Sequence, residues 1–425
     1  MLPVGSEFQV NTYTTSGQLY PAVGPDGAGG FVVLWTSGGS SGSDDSAASI
    51  QGQRYASSGA TAGDQFQVNT YTSGYQFFPA VSPDGAGGFV VVWGNESLYG
   101  TDPPVSSIQG QRYASDGSTV GDEFQVNTYT TSYQSLPAVG PDGAGGFVVA
   151  WESNGSSGSD NSYYSIQGQR YASDGSTAGD QFQVNTYTTD RQDFPAVGLD
   201  GAGGFVIVWH SDGSSGSDGE YGSIQGQRYA SDGSTVGDEF QVNTYTTSGQ
   251  SRPAVGPDGA GGFVVVWESF GSSGSDDEGG SIQGQRYASD GSTVDDQFQV
   301  NTYTTSSQSR PAVGSDGAGG FVVVWHSDGS SGSDDSDFSI QGQRYASDGS
   351  TAGDEFQVNT YTPRWQVFPA VAPDGAGGFV VVWHSDGSSG SDYDSYSIQG
   401  QRYGPPIFED GFESGDTSAW SNTVP

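Results

Sequence analysis

The chain has no cysteine and no lysine, one methionine, and no apolar run longer than a β-strand. Without cysteine there is no disulfide framework and no thiol chemistry. The most apolar stretches, such as Phe263 to Trp267, fall far short of the ~20 residues of a membrane-spanning helix. The lack of lysine leaves eleven arginines against 49 Asp and Glu, a net charge of −38. Such a surface repels nucleic acid, whose partners need a basic footprint, and disfavours anionic membranes. It suits divalent cations, neutral or basic ligands, high solubility or a saline medium. The opening Met1-Leu2-Pro3-Val4-Gly5 lacks the basic and apolar regions of a secretory leader, so export would need another route or a chain already trimmed.

What is abundant is glycine, 70 of 425 residues, and repetition. The tryptophan ending the most apolar run recurs as Trp35, Trp93, Trp151, Trp209, Trp267, Trp325 and Trp383, every step being 58 residues. The phenylalanine of Phe-Gln-Val-Asn recurs from Phe8 to Phe356 at the same interval, without insertion or deletion. Fixed periods of this kind mark solenoids, propellers and arrays.

Each copy holds four strand-like pieces: Pro-Ala-Val, then Phe-Val-Val-Val-Trp, then Ile-Gln-Gly-Gln-Arg-Tyr, then Phe-Gln-Val-Asn. The second is β-branched and aromatic at consecutive positions, which predicts burial on both faces. Asp-Gly-Ala-Gly-Gly and Asp-Gly-Ser-Thr supply turns, and helical periodicity is missing throughout. The frame decides among architectures. The chain opens on a fourth strand, Glu7 to Asn11, and ends its pattern on a third strand, Gln399 to Tyr403. Joining them completes seven four-stranded antiparallel units and removes an exposed edge. The prediction is an all-β, seven-bladed β-propeller over 1–403, closed by its N-terminal strand and expected to stand as a monomer. A solenoid is the runner-up, but its end repeats should be polar caps. Residues 404–425 read as a linker and short tail.

The copies differ on one rim. After the fourth strand, one position reads Gly17, Tyr75, Tyr133, Arg191, Gly249, Ser307, Trp365, and another Tyr20, Phe78, Leu136, Phe194, Arg252, Arg310, Phe368. Aromatic and arginine side chains on a rim suit recognition, and aromatic faces stack on sugar rings, so Tyr20, Tyr75, Phe78, Tyr133, Arg191, Phe194, Arg252, Arg310, Trp365 and Phe368 are the candidate ligand-binding residues. The competing reading packs these aromatics between blades. On the same rim six copies carry Gly-Ser-Ser-Gly-Ser-Asp, and its final aspartate occurs in all seven: Asp44, Asp102, Asp160, Asp218, Asp276, Asp334 and Asp392. Carboxylates and loop carbonyls would suit Ca²⁺, although the pattern is not that of an EF-hand, and a turn-capping role competes.

His210, His326 and His384 each follow the repeat tryptophan, where other copies have Thr36, Gly94, Glu152 and Glu268. They could converge only near the ring axis, and the second strand is not the innermost, so a bland reading is preferred. Gly38 to Gly42 fits Gly-x-Ser-x-Gly but lies in a low-complexity loop rather than at a strand-to-helix elbow. No nucleophile–base–acid set stands out. The seven third-strand arginines, Arg54 to Arg402, read as internal pairs with acidic turn residues such as Asp122 or Asp238.

The motifs Pro-Ala-Val, Asp-Gly-x-Gly-Gly-Phe-Val-Val-Val-Trp and Gln-Arg-Tyr before an Asp-Gly turn resemble, over residues 5–403, repeats of large extracellular bacterial proteins of adhesin-like and RTX-associated type. The resemblance implies a secreted or cell-surface setting and Ca²⁺, although the Gly-Gly-x-Gly-x-Asp nonapeptides of RTX arrays are missing. The tail, Ile407 to Ser421, resembles segments near the C-termini of secreted bacterial proteins, which implies sorting. The expectation is a binding module for a glycan or surface protein, not an enzyme. A structural or adhesive repeat without a discrete ligand is the alternative, and a propeller hydrolase or lyase stands behind both.

Overall fold

The computed structural model describes residues 1–39, 42, 48–72, 74–97, 106–155, 158–159, 163–213, 221–271, 279–329, 337–387 and 396–405. Each run of β-branched and aromatic residues forms a strand, and these assemble into seven separate four-stranded antiparallel sheets. The protein is a seven-bladed β-propeller. No helix occurs among the described residues, so none is long and apolar enough to cross a membrane.

In the first blade the inner strand is Gln18–Pro25, the second Phe31–Ser37, the third Ser49–Tyr55 and the outer Phe66–Gln67. Residues 31–35 of the second strand are fully buried on both faces. The period-two alternation of a strand explains how. Phe31, Val33 and Trp35 pack with Val380, Val382 and Ile398 of the last blade, while Val32 and Leu34 pack with Phe89, Val91 and Trp93 of the next. The hydrophobic core is therefore a set of seven layers between blades.

Outer-strand length follows one residue. Blades with valine after the threonine have a long outer strand, as in Thr119–Gln125, Thr235–Gln241 and Thr293–Gln299. Those with Ala62, Ala178 or Ala352 keep two strand residues and an isolated bridge, such as Tyr55 with Thr61. The difference matches the higher β-propensity of valine.

Closure runs through Leu2–Gln9, which pairs antiparallel with Tyr396–Gly404. Phe8 faces Gly400 and Gln9 faces Gln399, the register of Phe182 on Gly168 and Gln183 on Gln167 inside the third blade. Two further contacts repeat across the seam. Ile398 N–H donates to Asn11 Oδ1 at 2.8 Å, and Thr360 N–H donates to Glu7 Oε2 at 2.7 Å.

The first turn of each blade explains its invariance. Asp26 Oδ1 accepts from the N–H groups of Ala28 and Gly30, both at 2.9 Å, and Oδ2 accepts from Arg54 at 2.9 Å. The same Arg54 nitrogen donates to the Ser115 carbonyl of the next blade, and Arg402 reaches Ser57 of the first blade likewise. Gly27 adopts φ +77°, and a Cβ there would lie 2.2 Å from the Gly87 carbonyl oxygen of the neighbouring blade. The arginines are thus internal pairs, but with different acids from those expected. Arg112 binds Asp84 and Arg228 binds Asp200, whereas Asp122 and Asp238 are exposed. The first-turn carboxylate is already fixed by backbone donors, so it presents a preorganised oxygen that the exposed acids do not.

Candidate functional site at the propeller axis

Each inner strand carries an irregularity at the same place. In the first blade Leu19 pairs with Thr36 and Ala22 with Leu34, so Tyr20 and Pro21 together oppose Trp35. This is a β-bulge, which bends a strand and redirects a side chain. The bulged residue takes positive φ in all seven blades: Tyr20 53°, Phe78 53°, Leu136 48°, Phe194 51°, Arg252 51°, Arg310 53° and Phe368 57°. Each precedes a proline and none is glycine. Left-handed backbone costs a non-glycine residue about 1–2 kcal/mol. Strain of this kind, held seven times around one axis, concentrates at functional sites.

The bulge turns these seven side chains and their prolines into the lining of a single axial cup of about 280 Å³. The candidates Tyr20, Phe78, Phe194, Arg252, Arg310 and Phe368 therefore meet at one place, joined by Leu136. Part of the competing packing reading holds here. The Tyr20 ring lies 4.5 Å from Phe78 and 4.9 Å from Phe368, contacts made between blades. Arg310 stacks over Phe368 at 3.9 Å and Arg252 over Phe194 at 5.5 Å. The other candidates, Tyr75, Tyr133, Arg191 and Trp365, stand apart from the lining and are exposed, Trp365 to 49 %.

One layer behind the lining lies a second ring, formed by the residues after the repeat tryptophans. The ladder pairs each with the residue preceding the bulge: Glu152 with Ser135, His210 with Asp193, Glu268 with Ser251, His326 with Ser309. His326 and His384 therefore lie behind the bulged residues, both against Phe368, while His210 holds the matching ladder position in the fourth blade. His384 stacks on Phe368 at 5.0 Å, and the Ser309 hydroxyl meets His326 Nε2 at 2.5 Å. Burial, together with nearby Arg310, pushes His326 down to about 3 and His384 to about 4.

A charged cluster crosses the boundary between the third and fourth blades. Arg191 Nε lies 2.8 Å from Asp193, and its Nη2 lies 3.7 Å from Glu152. Asp193 also contacts His210 Nδ1 at 2.6 Å. Glu152 is only 3 % exposed and its Oε2 has no hydrogen-bond partner. Burial first, and the Asp193 charge second, push Glu152 up to about 7 against the pull of Arg191. A second carboxylate, Glu268, is held by Arg252 at 2.7 Å.

Glu152, Asp193 and Glu268 were absent from the candidate residues. The signal was present as acid, histidine or serine at two matched positions of the repeat, but only the ladder register shows that those positions face each other beside the axis. The seven loop aspartates, Asp44, Asp102, Asp160, Asp218, Asp276, Asp334 and Asp392, lie outside the described residues, as does the tail. Among the described residues no group of His, Asp and Glu is arranged to hold a metal ion.

No protein-family model matches the chain, and no curated protein matches it. Solved propellers do. A protein of unknown function from Dyadobacter fermentans is 10% identical, with 93% of this chain and 97% of that one covered and a TM-score of 0.53. A GH93 α-L-arabinofuranosidase of Fusarium graminearum, solved with arabinobiose, is 9% identical, with 94% and 97% covered and a TM-score of 0.50. A puromycin hydrolase is 13% identical with a TM-score of 0.50, covering 90% of this chain and 51% of its own. At these identities the likeness establishes the fold. The expectation that the chain is not an enzyme is corrected: solved structures of similar fold include a glycoside hydrolase, and ionisable side chains, Glu152, Asp193 and His210, are clustered one layer behind the lining of the cup.

Proposed function

We propose that this propeller processes glycans, taking the end of a sugar chain into the axial cup and cleaving its glycosidic bond. The observation that carries the reading is Glu152, a carboxyl group pushed up to about 7 one layer behind the lining of a cup faced with aromatic rings. Near neutral pH such a group is about half protonated, the state a general acid needs, while a companion carboxylate serves as its charged partner. With the lining parted by the bound sugar, Glu152 would give its proton to the leaving glycosidic oxygen as the bond to the anomeric carbon breaks. Water would add to that carbon and release its proton to Asp193. Tyr75, Tyr133 and Trp365, exposed beyond the cup, would hold further sugar units by stacking. An extracellular setting, as the repeat resemblance implies, is where polymeric sugars are met.

The test is a panel of aryl glycosides and oligosaccharides, followed by release of the leaving group. Glu152→Gln should lower kcat by at least ~100-fold, the usual contribution of a general acid, with sugar affinity retained. A wild-type chain that binds sugars but cleaves none, or a Glu152→Gln variant with unchanged kcat, would overturn the reading.

A further inference from the structure

Ten of the eleven arginines have a carboxylate partner among the described residues. Seven lock the blades, Arg191 meets Asp193, Arg252 meets Glu268, and Arg364 meets Asp386. Arg310 has none among the described residues, in a chain with 49 acids. It lines the axial cup with its guanidinium stacked on Phe368, and the next bulged residue around the ring is a second arginine, Arg252.

No structural demand accounts for Arg310. Its place in the repeat is filled elsewhere by tyrosine, phenylalanine or leucine, with the same bulge and the same positive φ. The placement is also unfavourable as it stands. Burial, with the charge of Arg252 next, pushes Arg310 down to about 10. Glu268 offsets part of the Arg252 charge, so what remains is chiefly the burial of a cation that has no carboxylate in contact, and an anion in the cup would relieve it.

We infer that the axial cup recognises a sugar acid, with the carboxylate of a uronate-type end group docked on the guanidinium of Arg310 and the sugar ring laid against the aromatic lining. The inference rests on the reading of the cup as a sugar site. Three features select this class. The guanidinium carbon of Arg310 lies 3.9 Å from the centre of the Phe368 ring, a contact that uses no N–H donor and so leaves the fork available to a planar carboxylate. Glu268 already neutralises Arg252, so the local charge is close to +1 and matches a monoanion. A cup of about 280 Å³ is at the small end of ligand sites and suits one sugar unit.

The experiment is calorimetric titration of the full chain with disaccharides ending in glucuronate or galacturonate. The controls are the same disaccharides bearing a primary alcohol, and acetate. Arg310→Leu is the test variant, because leucine already occupies this position at Leu136. The acidic sugars should bind at least ~10-fold more tightly than their neutral counterparts, and Arg310→Leu should abolish that preference while keeping the melting temperature. Equal binding of neutral sugars, an unchanged preference in Arg310→Leu, or acetate binding as tightly as the sugar acid would each overturn it. The two readings fail separately. Selective uronate binding without cleavage of any glycoside leaves this inference standing and removes the hydrolase. Cleavage of neutral glycosides at full rate by Arg310→Leu, with no acidic preference in the wild type, does the reverse.

Discussion

His326 and His384 sit behind the axial cup with their pKa values pushed down to about 3 and 4 from 6.5. In the unfolded chain both take up a proton below pH ~6.5, whereas the folded chain refuses it until pH ~4 or lower. Stability from these groups therefore falls on acidification, by up to ~1.4 kcal/mol per pH unit for each. Glu152 acts with the opposite sign, since its folded pKa of about 7 lies above the 4.5 of a free glutamate. Its contribution is fully present below pH ~4.5 and is lost as pH rises through 7. Two groups outweigh one, so denaturation midpoints should drop between pH 6.5 and 4.5. Replacing both histidines by threonine, the residue at Thr36, should flatten that fall; an unchanged slope in urea titrations at several pH values would count against their buried, neutral state. These residues were visible in the sequence as the variable position after each tryptophan. Their meaning was not, because a β-bulge adds one residue to the inner strand, and only the resulting register puts Asp193 opposite His210.

At the scale of the strand and turn, the repeat could be read almost in full. Phe263 to Trp267 was expected to be buried on both faces and is. The inner strand was read as Pro-Ala-Val, yet it begins three residues earlier, at Gln250, because the proline sits in the bulge instead of starting the strand. The acid partner of the third-strand arginine was also misplaced, since sequence proximity favoured Asp122 while the fold brings Asp84 to Arg112 at 2.8 Å. A pair of mutations separates the two. Asp84→Ala strands a buried guanidinium and removes a turn cap, so it should cost about 3–5 kcal/mol in denaturant unfolding. Asp122→Ala, at an exposed position, should stay within about 0.5 kcal/mol. Equal effects would mean that the first-turn carboxylate is not the anchor of the blade.

At the scale of the molecule, seven blades and circular closure followed from the offset at which the pattern starts and stops, since only a ring leaves no unpaired edge. Removing residues 1–12 should expose the third strand of the last blade and take away Glu7 and Asn11 from their partners. The expected result is a lower melting temperature and a less cooperative transition by calorimetry; an unaltered transition would contradict the need for closure. The acidic Gly/Ser loops can be tested on the whole chain as well. If their aspartates bind Ca²⁺, EDTA should lower the melting temperature and millimolar Ca²⁺ restore it through binding linkage. Identical melts would remove the cation.

The ladder that seals the ring repeats the register found within the other blades. The seam is thus portable. A permuted gene with the old ends linked and new ones opened between Asn127 and Gln134 should give the same toroid, with its zipper moved to another blade. The cup does not share this indifference, because every blade contributes its own letter to a seven-letter word, Tyr-Phe-Leu-Phe-Arg-Arg-Phe. Shuffling whole blades would rewrite that word and keep the scaffold, which makes blade order itself a means of changing the chemistry of the cup.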